Sequence, residues 1–193
     1  MNDILYKFKN LHWTLIFLVF SLSFVGLIMI YSASNSEGLG ATYSQLIKVF
    51  LGFLVMFIVA LINIDSWQKY SFILFILGLI VLVYATFYGY IGKGSRRWIN
   101  LFGVNIQPSE IMKIYLIMAL AKFFDEKKIN SMRDYFFLIF PILLILIPFF
   151  IILQQPDLGT ALILLILGCI VFFIVGININ FFIVCSVLFI ILS

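Results

Sequence analysis

Residues 12–31 read HWTLIFLVFSLSFVGLIMIY, twenty positions without an Asp, Glu, Lys or Arg. A helix needs about 20 predominantly apolar residues to cross about 30 Å of hydrocarbon. In lipid the backbone must satisfy its own hydrogen bonds, which leaves a helix as the form for such a run. Lys7 and Lys9 precede it and Ser32-Ala33-Ser34 follows, the outline of a secretory leader. Its apolar stretch of about 19 residues exceeds the roughly 7–15 of a leader, so the run is read as a retained anchor.

Outward from this run the pattern repeats at 45–63, 71–91, 109–124, 135–153 and 158–176, with a shorter run at 181–193. This predicts an all-α, polytopic helical membrane protein with six full transmembrane helices and a partial seventh. The last run, about 13 residues, is too short to span upright. Residues 1–193 are therefore expected to be the N-terminal portion of a larger transmembrane domain, with no soluble domain. Composition agrees: 65% of residues are hydrophobic and 10% charged, against about 45–50% and about 25% in soluble domains. Too few charges remain to cover a water-facing surface, which excludes a soluble globular domain and a disordered tail. The net charge of +4 is not gathered into a basic stripe, so nucleic acid is excluded as a partner. Strict alternation over about 10 residues, the mark of an outer-membrane barrel, is absent. Cys169 and Cys185 lie inside apolar runs and read as small hydrophobes, and His12 as an interfacial neighbour of Trp13.

Loop charges set the orientation. With the N-terminus in the cytoplasm, the inner side holds Lys7, Lys9, Lys69, Lys122, Lys127, Lys128 and Arg133, and the outer side Lys48, Lys93, Arg96 and Arg97. The bias is seven to four inward. Segment 92–108 reads as an outer loop that keeps three basic residues against this trend, which calls for a local cause.

Charges inside spans are costly and mark functional candidates. Lys113 stands one turn inside the fourth run, and Asp157 stands in the corner Gln154-Gln155-Pro156-Asp157-Leu158-Gly159-Thr160, at the start of the sixth. Spans four and six both begin at the outer face, so an interhelical Lys113–Asp157 ion pair is expected, with Glu110 as Lys113's alternative partner. The simpler readings are a snorkelling lysine and an aspartate that only caps its helix. Arg96 and Arg97 beside Trp98 offer planar forks suited to an anionic headgroup; interface anchoring is the plainer alternative. Pro108 and Glu110 suit the first turn of a helix.

Three ordered motifs carry a family resemblance: Gly94-Ser95-Arg96-Arg97-Trp98-Ile99, Gln107-Pro108-Ser109-Glu110-Ile111-Met112-Lys113 and Gln155-Pro156-Asp157-Leu158-Gly159-Thr160-Ala161, with Tyr31-Ser32-Ala33-Ser34 at the end of the first span. Together they resemble the SEDS family of shape, elongation, division and sporulation proteins, nearest its rod-shape branch (RodA), with the division branch (FtsW) next. Leu101-Phe102-Gly103 departs from the Leu-Gly common in relatives. The resemblance implies the first part of a fold of about ten spans in the bacterial cytoplasmic membrane, with a cavity facing outward. It implies a peptidoglycan glycosyltransferase that polymerises lipid II, the undecaprenyl-pyrophosphate-linked disaccharide peptide, in cell-wall elongation and rod shape. A class B penicillin-binding transpeptidase and other elongation-complex membrane proteins are the implied partners.

Such chemistry needs a carboxylate to take a hydroxyl proton and cations to hold the leaving pyrophosphate. The family's essential aspartate is expected beyond Ser193. Carried over by motif, Arg97, Trp98, Gln107, Glu110, Lys113 and Asp157 shape the cavity, and Arg96 matches less consistently. Arg96, Arg97, Trp98, Gln107 and Glu110 are thus the substrate-binding candidates, and Lys113 with Asp157 the structural pair. No cofactor or metal motif is evident, and a divalent-metal requirement stays open. The alternatives are a flippase for the lipid-linked precursor, although no repeat relates the two halves, and a non-catalytic scaffold.

Overall fold

The computed structural model describes residues 9, 11–33, 40–92, 95–101, 104–126 and 137–177. Among them are six helices and three strands: α1 (Trp13–Ala33), α2 (Gly40–Leu61), α3 (Ile64–Tyr88), β1 (Tyr90–Gly92), β2 (Ser95–Leu101), β3 (Val104–Ile106), α4 (Pro108–Glu126), α5 (Ile139–Gln154) and α6 (Leu158–Ile174). Six expected spans appear as helices; the run at 181–193 lies outside the described residues. Among the described residues, three helices are long and apolar enough to cross a membrane on those grounds alone: Trp13–Ala33, Thr42–Leu61 and Ile64–Tyr88. The chain is a multi-pass, all-α membrane protein.

The chain divides into two compact units, residues 1–66 and 67–193. In the first, His12 caps α1, its Nδ1 accepting from the Leu15 amide at 3.3 Å. Ser21 and Ser23 turn their hydroxyls back onto the Phe17 and Val19 carbonyls at 2.8 Å, which pairs both donors within their own helix. The Phe20 and Phe53 rings meet 5.8 Å apart between α1 and α2.

The second unit holds the core. Met112, Leu116, Ala119, Leu120 and Phe123 form a buried stripe along α4 at helical spacing, packed with Phe75 and Leu82 of α3, Ile145 and Ile152 of α5, and Leu164 and Phe172 of α6. Helices in lipid gain attraction by close packing, which small residues permit. Gly78 is such a point: a Cβ there would stand 2.7 Å from Tyr115 Cδ2 and 3.1 Å from Met112 Sδ. At the far end of α3, Gly89 donates to the Ala85 carbonyl at 2.9 Å. Any Cβ on Gly89 would run into that same oxygen, so the helix closes on glycine and the chain turns into β1. Asp125 accepts from Gln68 at 2.6 Å, and Lys122 donates to the Lys69 carbonyl at 3.2 Å, joining the start of α3 to the end of α4.

Segment 92–108, read above as a plain loop, instead carries an antiparallel meander in the order β1-β2-β3. Ile99, Asn100 and Leu101 pair with Ile106, Asn105 and Val104, and Asn100 Nδ2 donates to Asn105 Oδ1 at 2.9 Å. Pairing satisfies the backbone groups that a loop at a membrane surface would leave open. Replacing Gly78 with Val should cost about 1–3 kcal/mol through overpacking, lowering the thermal midpoint in detergent; an unchanged midpoint would show that α3 and α4 do not meet there.

Candidate functional site

Asp157 is the centre of the polar cluster. It stands between α5 and α6 as the N-cap of α6, where free amides favour a carboxylate. Its Oδ1 accepts from the Thr160 amide at 3.3 Å, and its Oδ2 from Thr160 Oγ1 at 2.8 Å. The same Oδ2 accepts from Gln107 Nε2 at 3.0 Å and meets Arg97 Nη1 at 2.8 Å. One carboxylate thus joins the start of α6, the residue before α4, and β2.

Backbone geometry explains why Arg97 arrives there. Tyr90 pairs with Trp98 and Ile91 with Arg96, so the register steps between them and Arg97 has no counterpart in β1. An extra residue of this kind bends the strand and re-aims a side chain. Gln107 is fixed as well: its carbonyl accepts the Glu110 amide at 3.1 Å, and Pro108 opens α4 without needing a donor.

The expected Lys113–Asp157 pair does not form. Lys113 Nζ pairs with Glu110 Oε2 at 2.8 Å within α4, while Asp157 takes Arg97. Similar depth on two helices is not enough; the side chains must also face each other. Glu110 lies three residues away on the same face, whereas the bulged strand lays Arg97 on Asp157. The capping alternative for Asp157 is realised together with an ion pair.

Of the predicted residues, Arg97, Gln107 and Asp157 come together, and Glu110 and Lys113 form a separate pair. Arg96 and Trp98 border another space, which Arg97, Gln107 and Asp157 do not line. Two contributors had been quoted only as motif letters. Gln155, 2% exposed, donates from Nε2 to Thr86 Oγ1 at 2.8 Å and to the Leu82 carbonyl at 3.2 Å. Thr86 Oγ1 itself donates to that carbonyl at 3.0 Å, so the corner also grips α3 just before β1. Ser109 is fully buried, and its Oγ, like Arg97 Nε, is a buried group without a hydrogen-bond partner. A polar letter within two residues of each motif acid, Gln155 before Asp157 and Ser109 before Glu110, was the available signal. Among the described residues, no group of three or more His, Cys, Asp or Glu could hold a metal ion.

Burial pushes the Asp157 carboxyl up, but the Thr160 side-chain and backbone hydrogen bonds, and then the hydrogen bond and charge of Arg97, outweigh it and hold it below the ordinary carboxylate value. A lowered value means stability present above the unfolded value, about 3.9, and lost as pH falls through the folded one. The wild-type advantage in thermal midpoint over Asp157→Asn should therefore stay constant from about pH 8 to pH 5 and shrink below about pH 4; an advantage that grows on acidification would contradict this. Replacing Arg97 with Gln should cost about 3 kcal/mol by stranding a largely buried carboxylate. Lys113→Met should cost less, because its partner Glu110 has a side chain 55% exposed.

The chain as a whole is similar to known proteins. The FTSW_RODA_SPOVE family model, described as "Cell cycle protein", matches residues 12–193. The chain is 33% identical over 171 residues to a probable peptidoglycan glycosyltransferase FtsW of Wigglesworthia glossinidia brevipalpis, covering 85% of this chain and 45% of that one. It is 34% identical to the stage V sporulation protein E of Bacillus subtilis, covering 82% and 46%. It thus spans about half the length of these curated relatives. Among solved structures, the Thermus thermophilus rod shape determining protein RodA superposes with a TM-score of 0.78 at 29% identity, over 95% of this chain and 60% of that one. A chain of a peptidoglycan synthase complex, solved for its coordination of polymerization and crosslinking, gives 0.80 at 27%, over 95% and 53%. A family match that begins at the first span and takes in the polar cluster leaves one conclusion: the chain belongs to the FtsW/RodA/SpoVE family of cell cycle proteins.

Proposed function

We propose that the protein acts as a peptidoglycan glycosyltransferase, polymerising lipid II for cell-wall elongation and rod shape at the outer face of the bacterial cytoplasmic membrane. In this reading the N-terminus is cytoplasmic, and the sheet and the Asp157 corner face outward. A class B penicillin-binding transpeptidase works beside it, with other membrane proteins of the elongation complex. Family membership supports the reaction class, since relatives are named for that activity.

The observation that carries the site assignment is the state of Arg97. Its Nη1 is held by Asp157, while its Nε is buried and without a partner. A buried donor left over in this way calls for an acceptor, and a pyrophosphate oxygen suits a guanidinium fork. Gln107 holds the same carboxylate, and Glu110 with Lys113 adds polar lining. Asp157 is not the base: its oxygens are engaged, and a lowered proton affinity opposes taking a hydroxyl proton.

The test uses the full-length protein in liposomes containing lipid II, with glycan strands read on gels. Arg97→Lys keeps a cation for Asp157 but lacks the fork. It should retain a wild-type thermal midpoint while polymerising at least about tenfold more slowly, corresponding to about 1.4 kcal/mol. Wild-type polymerisation by that variant would remove Arg97 from the substrate. Lipid II crossing the bilayer without polymer would make the protein a flippase, and co-purification with a transpeptidase without either activity would make it a scaffold.

A further inference from the structure

The strand that delivers Arg97 to Asp157 presents Arg96 and Trp98 to a different space. There, Tyr84, Phe87 and Tyr88 from the last turns of α3, with Tyr90 of β1, complete an open groove of about 600 Å³. Tyr90 is the cross-strand partner of Trp98, and the Tyr84 and Tyr88 rings stack 5.2 Å apart. Phe87, Tyr88 and Tyr90 are each about two-thirds exposed or more. Among the described residues, no carboxylate lies within 4.0 Å of the Arg96 guanidinium.

Two features decide what fits. The floor is the end of a helix long and apolar enough to cross the bilayer, so the groove sits at interface depth, where tyrosine and tryptophan combine apolar faces with polar edges. Its rim carries an arginine with no counter-ion among the described residues, whose planar fork matches phosphate oxygens. An amphiphile with an anionic head satisfies both, whereas a soluble anion uses only the rim and a neutral lipid only the floor.

We propose that this groove is a binding site for an anionic phospholipid of the leaflet on the sheet side, its phosphodiester on Arg96 and its glycerol and upper acyl chain along Tyr84, Phe87 and Tyr88. The occupied groove braces β1 and β2 from the side opposite the Asp157 cluster, so a bilayer lipid becomes part of the sheet's packing. This site requires only that the chain crosses a membrane, and it stands or falls independently of the polymerase reading.

Trp98 serves as the reporter. The chain has three tryptophans, at positions 13, 67 and 98, and the full chain carrying Trp13→Phe and Trp67→Phe leaves Trp98 alone. It is titrated in detergent micelles with phosphatidylglycerol brominated near the top of its acyl chains, and with an equally brominated diacylglycerol lacking the phosphate. Phosphatidylglycerol should quench Trp98 at a mole fraction about tenfold lower than diacylglycerol, and Arg96→Gln should erase that preference while leaving the thermal midpoint in lipid-free detergent unchanged. Inorganic phosphate in excess should not relieve the quenching; relief would make the site one for free phosphate and overturn the lipid assignment. Equal quenching by the two lipids in the wild-type background would overturn the proposal without recourse to any substitution at Arg96, as would an undiminished preference in Arg96→Gln.

Discussion

The contact between Arg97 and Asp157, 2.8 Å across, is the constraint on which the rest of the candidate site depends. Without it, β2 would have no ionic tie to the helix corner, and Asp157 would be an ordinary cap. With it, a single carboxylate gathers Thr160, Gln107 and Arg97, which belong to the first turn of α6, the entry to α4 and the middle of the sheet. Each tie satisfies a charge or donor that would be expensive to leave unpaired at the edge of hydrocarbon. The arrangement is also self-limiting: the carboxylate's capacity is spent on structure, so it is suited to holding a cation in place and poorly suited to accepting a proton.

The cluster is stiff because its supports are independent. Gln155 secures the same corner to Leu82 and Thr86 of α3, and the close approach at Gly78 holds α3 against α4. The strand between them then separates two neighbouring arginines. Arg97 is spent largely on Asp157, and Arg96 is left bordering an aromatic groove. A pair that looks like a doubled basic anchor in the sequence is two side chains with different surroundings. The two arginines of β2 thus have specific and different surroundings, a buried carboxylate for Arg97 and an aromatic groove for Arg96, while Lys93 lies outside the described residues.

The helices were legible because lipid leaves a long apolar run one backbone solution, and α1, α2 and α3 follow from length alone. The meander was not. Its strands are three to seven residues long, too brief for alternation to show. The residues of the cluster were legible as polar letters in apolar surroundings, and the resemblance to relatives placed them together. Their partners were not, because depth along a helix says nothing about azimuth and no local pattern announces a register step at Arg97. Lys113 illustrates the general point. A charged residue in a span must find a partner, and Lys113 takes Glu110, the alternative partner read from the sequence, one turn away on its own helix.

The family relationship and the geometry bear on different parts of the account, the first on the proposed class of reaction and the second on which side chains hold the polar corner together. A double-mutant cycle on thermal stability, with Arg97→Gln, Asp157→Asn and both substitutions together, measures the central interaction most directly. The account predicts strong non-additivity, the double variant melting close to the more damaged single variant. Losses that simply add would mean that the two side chains do not meet, and would dismantle the cluster described here.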